Sequence, residues 1–191
     1  MKYSAIFLDR DGVLIEDTHL ITTIDAVKAF PKTAPALENL KTLGFKLIVV
    51  TNQSVVSRGL LSLEQALELN QQILKDWPID ASYLCPFHPN ATLEKYRQDS
   101  ELRKPRPGMI IQAAQEYQID LSKSFMIGDR PSDIVAGNLA GCTTIQVQTG
   151  QSGQPMIESG SISFGDKNLV AHYQVNSLWN ASILIKGLLN G

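Results

Sequence analysis

The sequence predicts a three-layer α/β fold: a parallel sheet with helices on both faces. Three observations predict it. Apolar runs of strand length alternate with stretches whose apolar residues recur at helical spacing. The runs Ala5–Leu8 and Leu47–Val50 are apolar throughout, as strands buried on both faces require. Polar clusters follow these runs and do not interrupt them, which is where open α/β sheets bind ligands.

Ala5 to Leu8 is the first strand and ends in Asp9-Arg10-Asp11-Gly12. Side chains alternate in extended chain, so Asp9 and Asp11 start on one side, roughly 7 Å apart at about 3.3 Å per residue. Gly12 lets the chain turn sharply. Residues 15–32 are polar and irregular. Pro35 opens a helix carrying Leu37, Leu40 and Leu43, with Gly44 as its C′ residue. Phe45 to Val50 is the second strand, running into Thr51-Asn52-Gln53-Ser54, and a polar loop leads on to Gly59. Ser62 starts a long helix, with Gln65 as capping-box partner. Its inner stripe is Leu63, Ala66, Leu67, Asn70, Ile73, Leu74 and Trp77, and Pro78 ends it.

Ala81 to Leu84 is a short third strand, and 85–103 is a polar surface excursion. A helix with Ile110, Ala113, Ala114 and Tyr117 on one face follows Arg103-Lys104-Pro105. Ser124 to Ile127 is the fourth strand and runs into Gly128-Asp129-Arg130-Pro131-Ser132-Asp133. A helix from about Ser132 to Ala140 is closed by Gly141, and Thr143 to Val147 is the fifth strand. Residues 149–167, rich in Gly and Pro, read as a mobile loop. Tyr173 to Val175 reads as an edge strand. Ser177 to Leu189 is a terminal helix with Leu178, Ile183, Leu184 and Leu188 available for packing.

The 191 residues suit one domain, 1–191, with a core over 1–148 and an appended loop, edge strand and helix over 149–191. A formal charge of −2 gives no attraction to nucleic acid or to a membrane surface. No apolar run reaches the length of a membrane span. A strand begins within a few residues of Met1, leaving no room for a signal peptide. The expectation is a cytoplasmic monomer whose two cysteines, Cys85 and Cys142, stay reduced.

Four polar clusters follow successive strands: Asp9/Asp11, Thr51/Asn52, Arg103/Lys104 and Asp129/Asp133. Right-handed crossovers bring the carboxyl ends of parallel strands to one sheet edge, so the clusters should converge. Each has a bland reading by itself. Thr51-Asn52 is a turn, Arg103-Lys104 a solvated pair, and Asp133 an acid in a helix's first turn. Their order and strand placement give them weight. No Walker A loop, GxGxxG, HExxH or Cys-x-x-Cys occurs.

Asp-x-Asp-Gly-Val after a strand, with Gly-Asp-x-x-x-Asp after a later one, resembles the haloacid dehalogenase (HAD) superfamily of phosphohydrolases. All four of that family's motifs occur in order between residue 5 and about 148. The resemblance implies a Rossmann-like, HAD-like sheet and an Mg²⁺-dependent phosphomonoesterase working through an aspartyl-phosphate on a small phosphorylated metabolite. By that resemblance Asp9 is the nucleophile. Asp11 protonates the departing alkoxide and later takes a proton from water. Thr51 and the amide after it, at Asn52, bind phosphoryl oxygens, and Lys104 beside Arg103 neutralises the phosphoryl charge. Mg²⁺ falls to the Asp9 carboxylate, the Asp11 backbone carbonyl and Asp129. Asp133 orients a metal-bound water or Lys104. As a surface lysine, Lys104 is expected to act on charge and not on folding.

A closer resemblance is to the heptose-bisphosphate and histidinol-phosphate phosphatase branch. It rests on Phe7-Leu8-Asp9-Arg10-Asp11-Gly12, Thr51-Asn52-Gln53-Ser54, Arg58-Gly59, Cys85-Pro86-Phe87-His88-Pro89 and Arg103-Lys104-Pro105. That branch has a minimal cap or none, and it often clips one loop with zinc through Cys-x-His and a later Cys-x-Cys. Here only Cys85 remains, with Phe87, Ser100 and Leu102 at the other ligand positions. Structural zinc needs about four N/S ligands, so none is expected. A contact between Phe87 and Leu102 is expected to replace the metal, leaving a loop more mobile than in its zinc-clipped relatives. The implied substrate is a sugar phosphate, heptose-bisphosphate-like. Histidinol phosphate is one alternative, and a catalytically idle phosphate- or partner-binding protein is another.

Overall fold

The computed structural model describes residues 2–18, 20–150, 162–164 and 167–190. Strands and helices alternate through the first part of the chain: β1 (Ala5–Leu8), α1 (Thr33–Thr42), β2 (Lys46–Asn52), α2 (Ser54–Ser57), α3 (Leu63–Leu74) and β3 (Ala81–Cys85). There follow α4 (Gly108–Glu116), β4 (Phe125–Gly128), α5 (Pro131–Ala140) and β5 (Thr143–Val147). The chain continues with β6 (Ile162–Phe164), β7 (Lys167–Leu169), β8 (Tyr173–Val175) and α6 (Leu178–Asn190). Six strands form one sheet in the order β3-β2-β1-β4-β5-β8, parallel at every pairing. β1 lies inside it, with Ile6 opposite Leu47 on one side and Phe125 on the other. This is the expected parallel Rossmann-like sheet, with β8 as the expected edge.

The period-2 alternation of buried strands builds the three layers. Ile6, Leu8, Leu47 and Val49 face one way and pack with Leu37 of α1, Ile73 of α3 and Ile185 of α6. Ala5, Phe7, Ile48 and Val50 face the other way and meet Ile110 and Ala113 of α4 and Ala136 of α5. Cys85 and Cys142 are buried free thiols in this second layer. Where a cap could be inserted, the described residues of 9–32 and 86–107 hold only one-turn 3-10 segments, Ile24–Ala26 and Glu94–Tyr96. No helix among the described residues is long and apolar enough to cross a membrane.

The differences from the sequence reading have local causes. α1 starts before Pro35, at Thr33, whose hydroxyl donates to the Leu14 carbonyl at 2.7 Å. Pro35 is tolerated in a first turn, where a backbone N–H has no helical partner. β2 runs on through Thr51 and Asn52 because β3 continues alongside, pairing Asn52 with Cys85. The polar stretch before Gly59 contains α2, which buries Val55 and Val56; one turn is too short to show a period. The Ser62–Gln65 capping box of α3 forms as expected. Leu67, however, is exposed, and Leu69 takes an inner position. On α6, Ile183 and Leu188 are likewise exposed while Ala181 and Ile185 face the core. Of the loop expected over 149–167, residues 151–161 and 165–166 lie outside the described residues. Its described remainder includes β6 and the start of β7, which pair antiparallel.

Candidate active site

The carboxyl ends of β1 and β2 open on a cleft of about 400 Å³ lined by Asp9, Asp11, Thr51, Asn52, Arg103 and Lys104. Asp129 and Asp133 are fully buried beside it, and carboxylate oxygens of Asp9, Asp129 and Asp133 lie within 4.8 Å of one another. The four clusters read from the sequence therefore meet on one sheet edge.

Two glycines make this approach possible. Gly12 turns with φ +87°, and a Cβ there would lie 2.5 Å from Asp129 Oδ2. Gly150 is tighter still, at 1.8 Å from the same oxygen. The hydroxyl of Thr149 donates to the Gly12 carbonyl at 2.6 Å, tying this segment to the turn after β1. Sequence reasoning left Thr149 and Gly150 in a loop. The available signal was a small-residue pair one residue past the carboxyl end of β5.

Lys104 is 3 % exposed, so the reading of Arg103-Lys104 as a solvated surface pair does not hold for Lys104. Its ammonium donates to the Val50 carbonyl at 2.7 Å and lies 2.9 Å from Asp9 Oδ1 and 2.7 Å from Asp133 Oδ1. An ammonium has three donors, and all three are directed at oxygens. Burial works to lower the Lys104 pKa, but Asp133 and Asp9 outweigh it and raise it above the ordinary lysine value. Asn52 fixes the backbone here: its side-chain Nδ2 donates to the Lys104 carbonyl at 2.9 Å, and the Lys104 N–H donates to its Oδ1 at 3.1 Å. The Asn52 side chain thus holds the lysine turn. Arg103 is half-buried, its Nη1 donating to the Phe87 carbonyl at 2.9 Å. Asp133 accepts from the Arg130 N–H at 3.0 Å, capping α5, while its other oxygen faces Lys104. It thus lies in the first turn of α5 and contacts Lys104.

Asp11 stands among different partners. Its Oδ1 accepts from Arg10 Nε at 3.2 Å and Nη2 at 3.0 Å, and its Oδ2 from Gln53 Nε2 at 2.8 Å. Burial raises its pKa; Arg10 opposes that, and the Asp9 charge adds to it. The net direction is upward, so Asp11 keeps a proton more readily than a free aspartate. Gln53 Nε2 also donates to Thr51 Oγ1 at 2.8 Å, linking the acid to the hydroxyl at the end of β2. Arg10 and Gln53 entered the sequence reading only as letters of motifs.

Asp129 supplies the test of metal fit. It is fully buried, yet among the described residues neither carboxylate oxygen has a hydrogen-bond partner. Burial first, then Asp133 and Asp9, push its pKa up to about 8. A bare buried carboxylate is costly unless a proton or a cation neutralises it. Hard carboxylate oxygens beside Asp9 are a donor set that suits Mg²⁺.

In the 85–103 loop, Phe87 and Leu102 both pack against the apolar cluster that contains Cys85, and the Phe87 ring lies 6.0 Å from that of Tyr96. The Cys85 thiol contacts the Phe87 carbonyl at 3.9 Å, and burial raises its pKa. His88 Nδ1 accepts from the Asn90 N–H at 3.0 Å.

Comparison with known proteins agrees with this geometry. Residues 101–181 match a family model described as HAD-hydrolase-like. A D-glycero-beta-D-manno-heptose-1,7-bisphosphate 7-phosphatase of Photorhabdus laumondii is 37 % identical over 192 residues, covering 96 % of each chain. The protein of the same name from Pasteurella multocida is 39 % identical over 192 residues, covering 96 % of this chain and 97 % of the relative. Among solved structures, the D,D-heptose 1,7-bisphosphate phosphatase of B. bronchiseptica, complexed with magnesium and phosphate, superposes with a TM-score of 0.79. It is 27 % identical, with 98 % of each chain covered.

Proposed function

This chain belongs to the haloacid dehalogenase-like hydrolases and is an Mg²⁺-using phosphoric monoester hydrolase, and we propose that it releases the 7-phosphate of a heptose 1,7-bisphosphate. The observation that carries the chemistry is the contrast between two acids in one cleft. Asp9 meets the Lys104 ammonium, whereas Asp11 sits where its pKa is raised.

Asp9 attacks phosphorus, forming an aspartyl-phosphate as the ester bond breaks. Thr51 and the amide of Asn52 receive the phosphoryl oxygens, and Lys104 beside Arg103 neutralises their charge. Asp11 gives its proton to the departing alkoxide. It then takes one from the water that cleaves the aspartyl-phosphate, restoring Asp9 and releasing phosphate. The Asp9 carboxylate, the Asp11 backbone carbonyl and Asp129 would hold Mg²⁺, which would supply positive charge between an attacking carboxylate and a phosphate dianion.

The choice of substrate is supported by the relatives' names and by the rim. Arg58, Arg103 and Arg130 all line the cleft, with Asp17 paired to Arg130. A bisphosphate keeps a second dianion for such a rim, whereas the cationic amine of histidinol phosphate is repelled by it. The test is phosphate release from each compound, with Mg²⁺ and with EDTA. Heptose 1,7-bisphosphate is expected to be the better substrate, and EDTA is expected to abolish turnover. Faster release from histidinol phosphate would overturn the substrate, and no release from any ester would support the idle-protein reading.

The same reading takes the chain as a single domain over 1–191 and a cytoplasmic monomer, with neither nucleic acid nor membrane as partner; its charge of −2 supports the last point. It also takes the 85–103 loop as free of zinc. Elemental analysis of protein purified without added metal is expected to find no bound zinc, and zinc-selective chelators should leave activity intact. Near-stoichiometric zinc retained through dialysis would reverse this part.

A further inference from the structure

Among the described residues Arg10 is the largest fully buried side chain, at 2 % exposure. A buried guanidinium is costly, and replacing a buried ion pair with apolar groups is often neutral or stabilising. Its retention therefore calls for a use. One edge of the guanidinium grips Asp11 through Nε and Nη2. From the other side, Nη1 donates to Asn70 Oδ1 at 3.2 Å. Asn70 stands on the inner face of α3, where an apolar residue is expected, and its Nδ2 donates to Ser82 Oγ on β3 at 3.1 Å. A chain of hydrogen bonds thus runs from β3 through α3 to the carboxylate of Asp11, and Gln53 holds that carboxylate's second oxygen.

We propose that Arg10, anchored by Asn70, is a positioning residue that fixes the Asp11 carboxyl toward the leaving-group oxygen. Asp11 sits on the turn after β1 and remains partly exposed. Without a clamp its side chain is free to change rotamer at the cleft. A misplacement of about 1 Å in a reacting group can cost on the order of 10²-fold in rate. The Arg10 backbone N–H donates to Asp9 Oδ1 at 2.8 Å, but its guanidinium bonds Asp11 and Asn70 and acts through Asp11.

The inference rests on the reading of Asp11 as leaving-group acid, so the experiment separates the two. The readout is kcat/KM for two esters: an alkyl phosphate, whose alkoxide needs a proton to depart, and 4-nitrophenyl phosphate, whose phenolate departs without one. Asp11→Asn is expected to depress the alkyl ester far more than the aryl ester. Asn70→Ala and Arg10→Lys should show the same selective loss, about 10-fold or more on the alkyl ester and little on the aryl ester. A merely structural role lowers both alike. Equal loss on both esters, or no loss, in folded Asn70→Ala overturns the positioning role if Asp11→Asn is selective. An unselective Asp11→Asn overturns the acid assignment itself. If Asn70→Ala or Arg10→Lys does not fold, Ser82→Ala removes only the outer hydrogen bond of the chain. It should show the same selectivity at smaller size, and its absence counts against the proposal.

Discussion

Asp9→Asn is expected to fold and to lose at least about 10³-fold in phosphate release. Asn has the shape of Asp, and its carbonyl oxygen can still accept from the Arg10 N–H, which meets Asp9 Oδ1 at 2.8 Å in the native protein. It can also still face Lys104. The lysine keeps Val50 and Asp133 as partners, so its burial remains compensated. What disappears is the attacking carboxylate and one anionic metal ligand. Three measurements check this: thermal unfolding, the rate on heptose 1,7-bisphosphate, and phosphate retained covalently by acid-quenched enzyme. The variant should melt as a cooperative unit and carry no covalent phosphate. Turnover like that of the wild type would remove Asp9 as nucleophile.

Lys104→Ala is expected to damage both folding and catalysis. The substitution removes the ammonium that meets Asp9, Asp133 and the Val50 carbonyl. Breaking a buried ion pair by removing one partner costs about 3–5 kcal/mol. Loss of a cation that neutralises the phosphoryl charge should lower kcat/KM by at least about 10². The pH dependence has a definite sign. Because the Lys104 pKa is raised, its stabilising contribution is complete below the unfolded-state lysine value and is lost only as pH climbs through the higher folded-state value. The stability difference between wild type and variant should therefore be flat across neutral pH on the lysine's account. A variant melting with the wild type would restore the surface reading; a destabilised variant with unchanged kcat/KM would leave Lys104 a structural lysine only.

Much of the fold was legible in the sequence because its signals are local. Four-residue apolar runs, the Ser62–Gln65 capping box, and the Gly44 and Gly141 helix ends depend on neighbours within one turn of chain. Parallel order and right-handed crossovers then convert these elements into one sheet edge. The convergence of Asp9, Asp11, Thr51, Lys104 and Asp129 could accordingly be expected before any side chain was placed. Tertiary structure alone decided how deep each group lies and what it touches. Lys104 is buried because Asp9, Asp133, Val50 and Asn52 reach it from three other segments, and spacing along the chain carries no trace of that. Asn70 looked like a flaw in an apolar stripe until Arg10, sixty residues away, supplied its partner. Leu67 and Leu69 exchanged roles because helical positions two apart differ by about 200°, and only the packed neighbours choose between them. Burying a charge is costly, and the Lys104 ammonium is buried where partners distant in sequence arrive together.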